Sequence, residues 1–232
     1  LAGRRVLITA GPTREFLDPV RFLSNPSTGK MGLALAREAR RRGAEVTVVL
    51  GPASLPPEER NGLSVIDVIT AEEMAGEVLA RIGGADVFVA AAAVSDYRPA
   101  QKAPQKIKKT DRDQPLVLVR TTDVLAEVSR RVAGAPHRPL LVGFAAETER
   151  VEENARQKLA QKQIDWIIAN DVTRAGAGFA GETNAVLCLS RTGDRRELSG
   201  TKREVARGIW DLVVAYATSA SPSGSSGSVS RP

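Results

Sequence analysis

Arg5-Val6-Leu7-Ile8-Thr9-Ala10-Gly11-Pro12, followed after a polar stretch by Ser24-Asn25-Pro26-Ser27-Thr28-Gly29-Lys30-Met31-Gly32, decides the fold. The first run is short, apolar and stopped by Gly-Pro, the pattern of a buried strand running into a turn. The second closes a loop with small polar residues and glycine where a helix should begin, over residues 31–42. Arg37, Arg40 and Arg41 share one face of that helix. Arg40, Arg41 and Arg42 sit at its negative dipole end, and Gly43 suits the left-handed closing position. The arginines thus have a structural explanation that needs no nucleic acid.

Outward from this strand–loop–helix unit the alternation continues. Residues 45–50 and 63–68 read as strands. Thr70-Ala71-Glu72-Glu73 is a capping box opening a helix that turns Met74, Val78 and Ile82 inward. Residues 87–90 form a fourth strand, and 116–119 a short one after a long lysine-rich loop. Residues 124–132 are helical with Asp123 as cap. Residues 140–144 are a strand, and 151–162 a helix with Glu152 and Arg156 paired four apart. Residues 166–169 are another strand. Residues 185–189 and 196–198, joined around Thr192-Gly193-Asp194, read as an antiparallel hairpin. Thr201-Lys202-Arg203-Glu204 is a second capping box, opening a last helix with Val205, Ile209, Leu212 and Val213 inside. The expectation is an α/β fold: a Rossmann-like, doubly wound, mostly parallel sheet with a small antiparallel hairpin extension. Ligands of such sheets sit off the carboxyl ends of the strands. One folded unit is expected over residues 1–218. Residues 219–232 contain seven serines in 14 positions and read as a disordered tail.

Composition narrows the function. One cysteine, Cys188, excludes an internal disulfide, and its alternating neighbours suggest a buried strand position. One histidine, His137, lies between Pro136 and Pro139, with no Ser or Cys motif to complete a relay and no cluster to bind zinc. No apolar run approaches the roughly 18 residues that span a bilayer, so no membrane partner and a cytoplasmic location are expected. The formal charge of +6 points to anionic partners without choosing among them.

The candidate chemistry lies at the strand ends. Backbone N–H groups of Gly29, Lys30 and Met31 at a helix start suit a phosphate, with Ser27 and Thr28 adding hydroxyls; capping by Ser27 or Thr28 is the alternative. The glycines do not match a dinucleotide fingerprint or a P-loop, and the second strand ends in Leu50-Gly51 with no acid for a ribose. Ala91, Ala92 and Ala93 would let backbone approach a ligand. Asp96 suits Mg²⁺ bridging phosphates or, alternatively, caps a turn. Lys102, Lys106, Lys108 and Lys109 fall within eight residues; they form a solvated loop or aim at a leaving pyrophosphate. Phe144 contacts a base or belongs to the core.

Taken together, Ile8 to Glu15, Asp18-Pro19-Val20-Arg21, Ser24 to Gly32, Ala91 to Tyr97, Lys106-Ile107-Lys108-Lys109, Gly143 to Thr148 and Ala169-Asn170-Asp171-Val172 resemble the phosphopantothenate–cysteine ligases, in the family's order. Arg120-Thr121-Thr122-Asp123 departs from the Asn-Pro-Asp type of that family. The resemblance implies a CTP-dependent ligase. The carboxylate of 4'-phosphopantothenate attacks the α-phosphate of CTP, pyrophosphate leaves, and the L-cysteine amine displaces CMP from the acyl-cytidylate. It implies Asn25 and Lys106 as catalytic residues. Gly11, Ser27, Thr28, Gly29, Lys30, Ala92, Ala93, Asp96, Lys106, Phe144 and Ala145 are implied around nucleotide and phosphates, with Asp96 the metal contact for Mg²⁺. It further implies a homodimer and fusion to, or association with, a flavin-dependent phosphopantothenoylcysteine decarboxylase, with no flavin in this segment. The absence of an initial Met agrees with such a fusion. Two rivals stand beside it: a Rossmann-like nucleotide-dependent oxidoreductase, and a basic nucleic-acid-binding module, which 4% aromatic residues and the lack of a binding motif disfavour.

Overall fold

Six apolar runs pair side by side in parallel, because helices between them return the chain to the same end of the sheet. The computed structural model of the chain describes residues 1–53, 55–111, 113–171 and 181–220. In chain order the elements are β1 (Arg5–Ala10), β2 (Arg14–Phe16), β3 (Phe22–Ser24), α1 (Lys30–Arg41), β4 (Glu45–Leu50), β5 (Ser64–Asp67), α2 (Ala71–Arg81), β6 (Val87–Ala90), β7 (Tyr97–Pro99), β8 (Leu118–Arg120), α3 (Val124–Val132), β9 (Leu140–Glu147), α4 (Val151–Gln161), β10 (Trp166–Asp171), β11 (Thr183–Ser190), β12 (Arg195–Thr201) and α5 (Lys202–Ala220).

The main sheet has the order β5-β4-β1-β6-β9-β10-β11-β12. β5 through β10 run parallel, with Ile8 between Val48 and Val89, and β11 and β12 add an antiparallel edge. Both faces are covered. On one, α1 and α5 pack Leu33, Leu35, Ile209 and Trp210 against Ile8, Val48 and Val89. The buried Trp210 indole N–H donates to the Leu35 carbonyl at 2.9 Å, joining the two helices. On the other, α2, α3 and α4 pack Met74, Val78, Val128 and Leu159 against Phe88, Leu141 and Ile167. This is the expected doubly wound sheet with its hairpin extension.

The expected caps form. Thr70 Oγ1 accepts from Glu73 N while the Glu73 carboxylate accepts from Thr70 N. Asp123 accepts from Ala126 N at 3.0 Å, and Thr201 and Glu204 repeat the box at α5. The arginine run is held by acids: Arg41 and Arg42 both pair with Glu38, and Arg42 with Asp211. Cys188 is buried in β11, where burial pushes its thiol up to about 12. Three features differ from expectation. The polar stretch after β1 contains the β2–β3 ladder, and the expected strand at 116–119 lies at Leu118–Arg120, paired with β7 outside the main sheet. The last helix runs to Ala220, two residues into the expected tail; residues 221–232 lie outside those described. Among the described residues no helix is long and apolar enough to cross a membrane.

Candidate functional site

The carboxyl ends of β1, β6, β9 and β10 open onto one cavity of about 850 Å³. β1 and β6 are neighbours, yet the chain leaves β1 for α1 on one face and leaves β6 for α3 on the other. Diverging connections of this kind leave a crevice at the switch point of a doubly wound sheet.

The wall on the β1 side is the loop into α1. Gly29 is the N-cap in the left-handed region at φ 78°, and as a glycine it offers no side-chain cap of its own. Ser27 Oγ accepts from the N-cap's own N–H, Gly29 N, at 3.4 Å. The first turn, Gly29 to Gly32, lines the cavity and turns its N–H end towards it, with the helix dipole behind. The turn also lies hard on β1: a Cβ at Gly32 would come 2.4 Å from the Ala10 Cβ.

The wall on the β6 side is stitched to β1. Ala92 N donates to Thr9 Oγ1 at 3.3 Å, Ala93 N to the Gly11 carbonyl at 2.9 Å, and Ser95 N to Thr13 Oγ1 at 3.0 Å. Asn25 completes the seam: its side-chain amide donates to the carbonyls of Ala93 and Val94, both at 3.2 Å. Asp96 follows, with its backbone carbonyl accepting from Thr121 N at 3.0 Å. Its carboxylate has no hydrogen-bond or ion-pair partner among the described residues.

Of the residues expected from the sequence, Asn25, Ser27, Thr28, Gly29, Lys30, Ala92, Ala93, Asp96, Phe144 and Ala145 all line this cavity. Gly11 and Lys106 do not. Gly11 stands behind the wall at φ 77°, where a Cβ would meet the Gly51 carbonyl oxygen at 2.8 Å. Lys106 is exposed on the lysine-rich loop.

A family model described as the DNA/pantothenate metabolism flavoprotein C-terminal domain matches residues 1–216. The chain belongs to this family. It is 45% identical over 215 residues to the coenzyme A biosynthesis bifunctional protein CoaBC of Vibrio cholerae, covering 92% of this chain and 53% of that protein. To the protein of the same name from Escherichia coli K12 it is 48% identical over 204 residues, covering 84% and 49%. The chain thus spans about half the length of the curated relatives it matches. A crystal structure of the C-terminal domain of CoaBC superposes with a TM-score of 0.78 at 38% identity, covering 94% of this chain and 98% of that one.

This member of the flavoprotein C-terminal domain family lines its cavity with groups that sequence reading passed over. Lys202 opens α5, buried at 7% exposure, and its ammonium donates to the Gly181 carbonyl. Burial holds that amine below the ordinary lysine range; the nearby charge of Lys30 adds to this and Glu182 opposes it. Lys30 pairs with Glu182, Lys158 with Glu147, and Lys162 with Asp123. Asn184, on β11, and Arg120, on β8, also line the cavity. Five cationic side chains there face two carboxylates, Asp96 and Asp123. Such a balance suits a ligand carrying several negative charges. Lys202 is legible in the sequence only as the second residue of a capping box, and Asn184 lies just before the strand expected at 185–189; no local pattern marks either as facing the cavity.

Proposed function

We propose that this chain joins 4'-phosphopantothenate to L-cysteine through an acyl-cytidylate, converting CTP to CMP and pyrophosphate, in coenzyme A biosynthesis. The observation that carries the reading is that residues from four segments as far apart as Asn25 and Ala145 line one cationic cavity at the switch point. The family and its bifunctional relatives supply the pathway.

In the first half-reaction a substrate carboxylate oxygen bonds to the α-phosphorus of CTP and the bond to pyrophosphate breaks. The start of α1, with Ser27 and Thr28, holds phosphate oxygens. Lys106 adds positive charge as the leaving group develops negative charge. In the second, the cysteine nitrogen attacks the acyl carbon, CMP leaves with the bonding pair, and the amine gives up a proton. Asn25 holds the 93–94 backbone against which the acyl-cytidylate lies, with Phe144 and Ala145 beside the nucleotide. Among the described residues no cluster of three His, Cys, Asp or Glu could cage a metal ion. One available carboxylate, Asp96, beside a phosphate site fits Mg²⁺, which is commonly held by one or two carboxylates plus substrate phosphates. Bound there, the ion neutralises phosphate charge.

The reading extends to a homodimer, to a partner or fused flavin-dependent decarboxylase that consumes the product, and to a cytoplasmic location. Val20, Phe22, Tyr97, Leu116, Val117 and Leu118 are large exposed apolar side chains on and beside the two small ladders, and offer the dimer a surface. The deciding experiment is pyrophosphate release from CTP with 4'-phosphopantothenate, with and without cysteine. Release that requires the acid, with CMP appearing only when cysteine is added, supports the reading; ADP and phosphate from ATP as the sole products would reject it.

A further inference from the structure

Residues more than eighty positions apart fasten the β2–β3 segment to the lysine-rich loop at several points. Asp18, in the turn between β2 and β3, is fully buried. Its Oδ1 closes its own turn, accepting from Val20 N at 2.8 Å and Arg21 N at 2.9 Å. Its Oδ2 faces the loop, accepting from Arg21 Nε at 2.9 Å and from Ile107 N at 3.1 Å. The Arg21 guanidinium also donates to the Ile107 carbonyl at 2.5 Å. Both backbone polar groups of Ile107 are therefore held by one Asp–Arg pair. Nearby, Ala103 N donates to the Leu17 carbonyl at 2.8 Å, and the Lys102 ammonium stands 5.0 Å from the centre of the Phe16 ring.

The chemistry of the loop explains why it needs tying. Four lysines within eight residues repel one another and prefer to spread in water. Lys106 itself has no hydrogen-bond or ion-pair partner among the described residues. Its place is set through its backbone, one residue from the clamped Ile107. Burial alone would favour a neutral Asp18, but the N–H groups of Val20 and Ile107 and the Arg21 guanidinium hold the carboxyl far below the ordinary carboxylate range. The clamp is thus charged throughout the working pH range.

We propose that Asp18 is the positioning residue for Lys106: it fixes the backbone of the lysine-rich loop through Ile107, so that Lys106, which stands outside the cavity walls, reaches the phosphates from a tethered rather than a free loop. The assignment rests on the reading of Lys106 given above. Preorganised charge avoids reorganisation at the moment of reaction, and misplacement of about 1 Å can cost roughly a hundredfold in rate.

The two carboxylate oxygens make a selective test possible. Asp18→Asn can keep one oxygen for the Val20 and Arg21 amides but sets an NH₂ donor against Ile107 N and the guanidinium. Asp18→Ala, run beside it, removes both arms in case the new amide flips. Amide hydrogen exchange over residues 101–109 and pyrophosphate release are measured for the wild type, the Asp18 variants, Lys106→Ala and the double variants. We expect exchange at Ile107 to rise about tenfold or more. The turnover of pyrophosphate release should fall roughly 10- to 100-fold, with the KM for CTP moving less than about threefold. The double variants should be no slower than Lys106→Ala alone, because an interaction already lost cannot be lost twice. Additive losses in the double variants would overturn the proposal, as would unchanged exchange at Ile107. If Lys106→Ala leaves pyrophosphate release intact, the assignment falls with the reading of Lys106, and the exchange data still report whether the clamp exists.

Discussion

Asn25 commits its amide before any ligand arrives, since both of its N–H bonds go to the Ala93 and Val94 carbonyls. An aspartate there would set a carboxylate against two carbonyl oxygens and lose two hydrogen bonds, each worth about 1 kcal/mol. The 91–95 wall should shift, and the reacting acyl carbon with it. Activation depends mainly on groups that hold the triphosphate. We therefore expect Asn25→Asp to consume CTP and accumulate acyl-cytidylate while amide formation slows, as read by mass spectrometry of quenched reactions. Product formed at the wild-type rate with no trapped intermediate would remove Asn25 from the catalytic set. A different kind of residue effect belongs to Glu38. Hydrogen bonds from Arg41, opposed by burial and joined by Arg42, hold its carboxyl down at about 2, against an ordinary 4.5. Because the folded value lies below the unfolded one, the unfolded chain takes up the proton first as pH falls. The stabilisation is complete above about pH 4.5 and disappears progressively towards about pH 2. At neutral pH Glu38→Gln should cost about 2 kcal/mol. Its melting temperature should then fall less steeply than that of the wild type between pH 5 and 3; parallel slopes would mean that another carboxylate governs acid unfolding.

Elements were legible in proportion to the length of their apolar pattern. Each long helix and each main-sheet strand announced itself, and three caps formed where Thr70, Asp123 and Thr201 placed them. Of the small ladders only β8 was read, at 116–119 rather than Leu118–Arg120. β2, β3, β7 and β8 have three residues each, too few to display a period of two, and Phe22 and Tyr97 remain exposed. β9 and β10 run further than their apolar cores because the ladder continues through Ala146 opposite Asn170 and Glu147 opposite Asp171. Backbone pairing needs no apolar side chains, so the apolar pattern stopped before the ladder did. The close contact of α1 with β1 is the element-scale feature most open to test. Gly32→Ala would bring a Cβ to 2.4 Å from the Ala10 Cβ, so the helix must move off the strand. Overpacking of this kind costs about 1–3 kcal/mol, partly offset by about 1 kcal/mol of helix propensity. We expect a melting temperature lower by a few degrees, together with a clear rise in the KM for CTP, because the shifted turn is the one proposed to meet phosphate. A variant with unaltered KM would separate the α1 start from nucleotide binding.

At the scale of the whole molecule, the position of the cavity followed from the alternation of strands and helices, and ten of the expected residues line it. Lys202 and Asn184 were hidden because they reach the cavity only through the antiparallel extension: β11 and β12 reverse the chain, and α5 then packs beside α1. Nothing local in the sequence records that return. The proposed homodimer makes a demand at the same scale. Val117 is 68% exposed, next to Leu116 and Leu118, so its side chain contributes little to the folded monomer. Surface substitutions of that kind usually change stability by less than about 0.5 kcal/mol. In a twofold dimer the same patch appears on both subunits, so one substitution acts twice. An aspartate buried without a partner on each side, at about 2 kcal/mol apiece, would weaken association by about 4 kcal/mol, roughly a thousandfold in the dissociation constant. Val117→Asp should therefore sediment near 24.7 kDa where the wild type sediments near twice that mass, with an unchanged melting transition at low concentration. If that contact also supports the cavity walls, pyrophosphate release should fall with the dimer and recover at high protein concentration. A wild type that is already monomeric, or a variant that stays dimeric, would locate the subunit contact elsewhere or remove it.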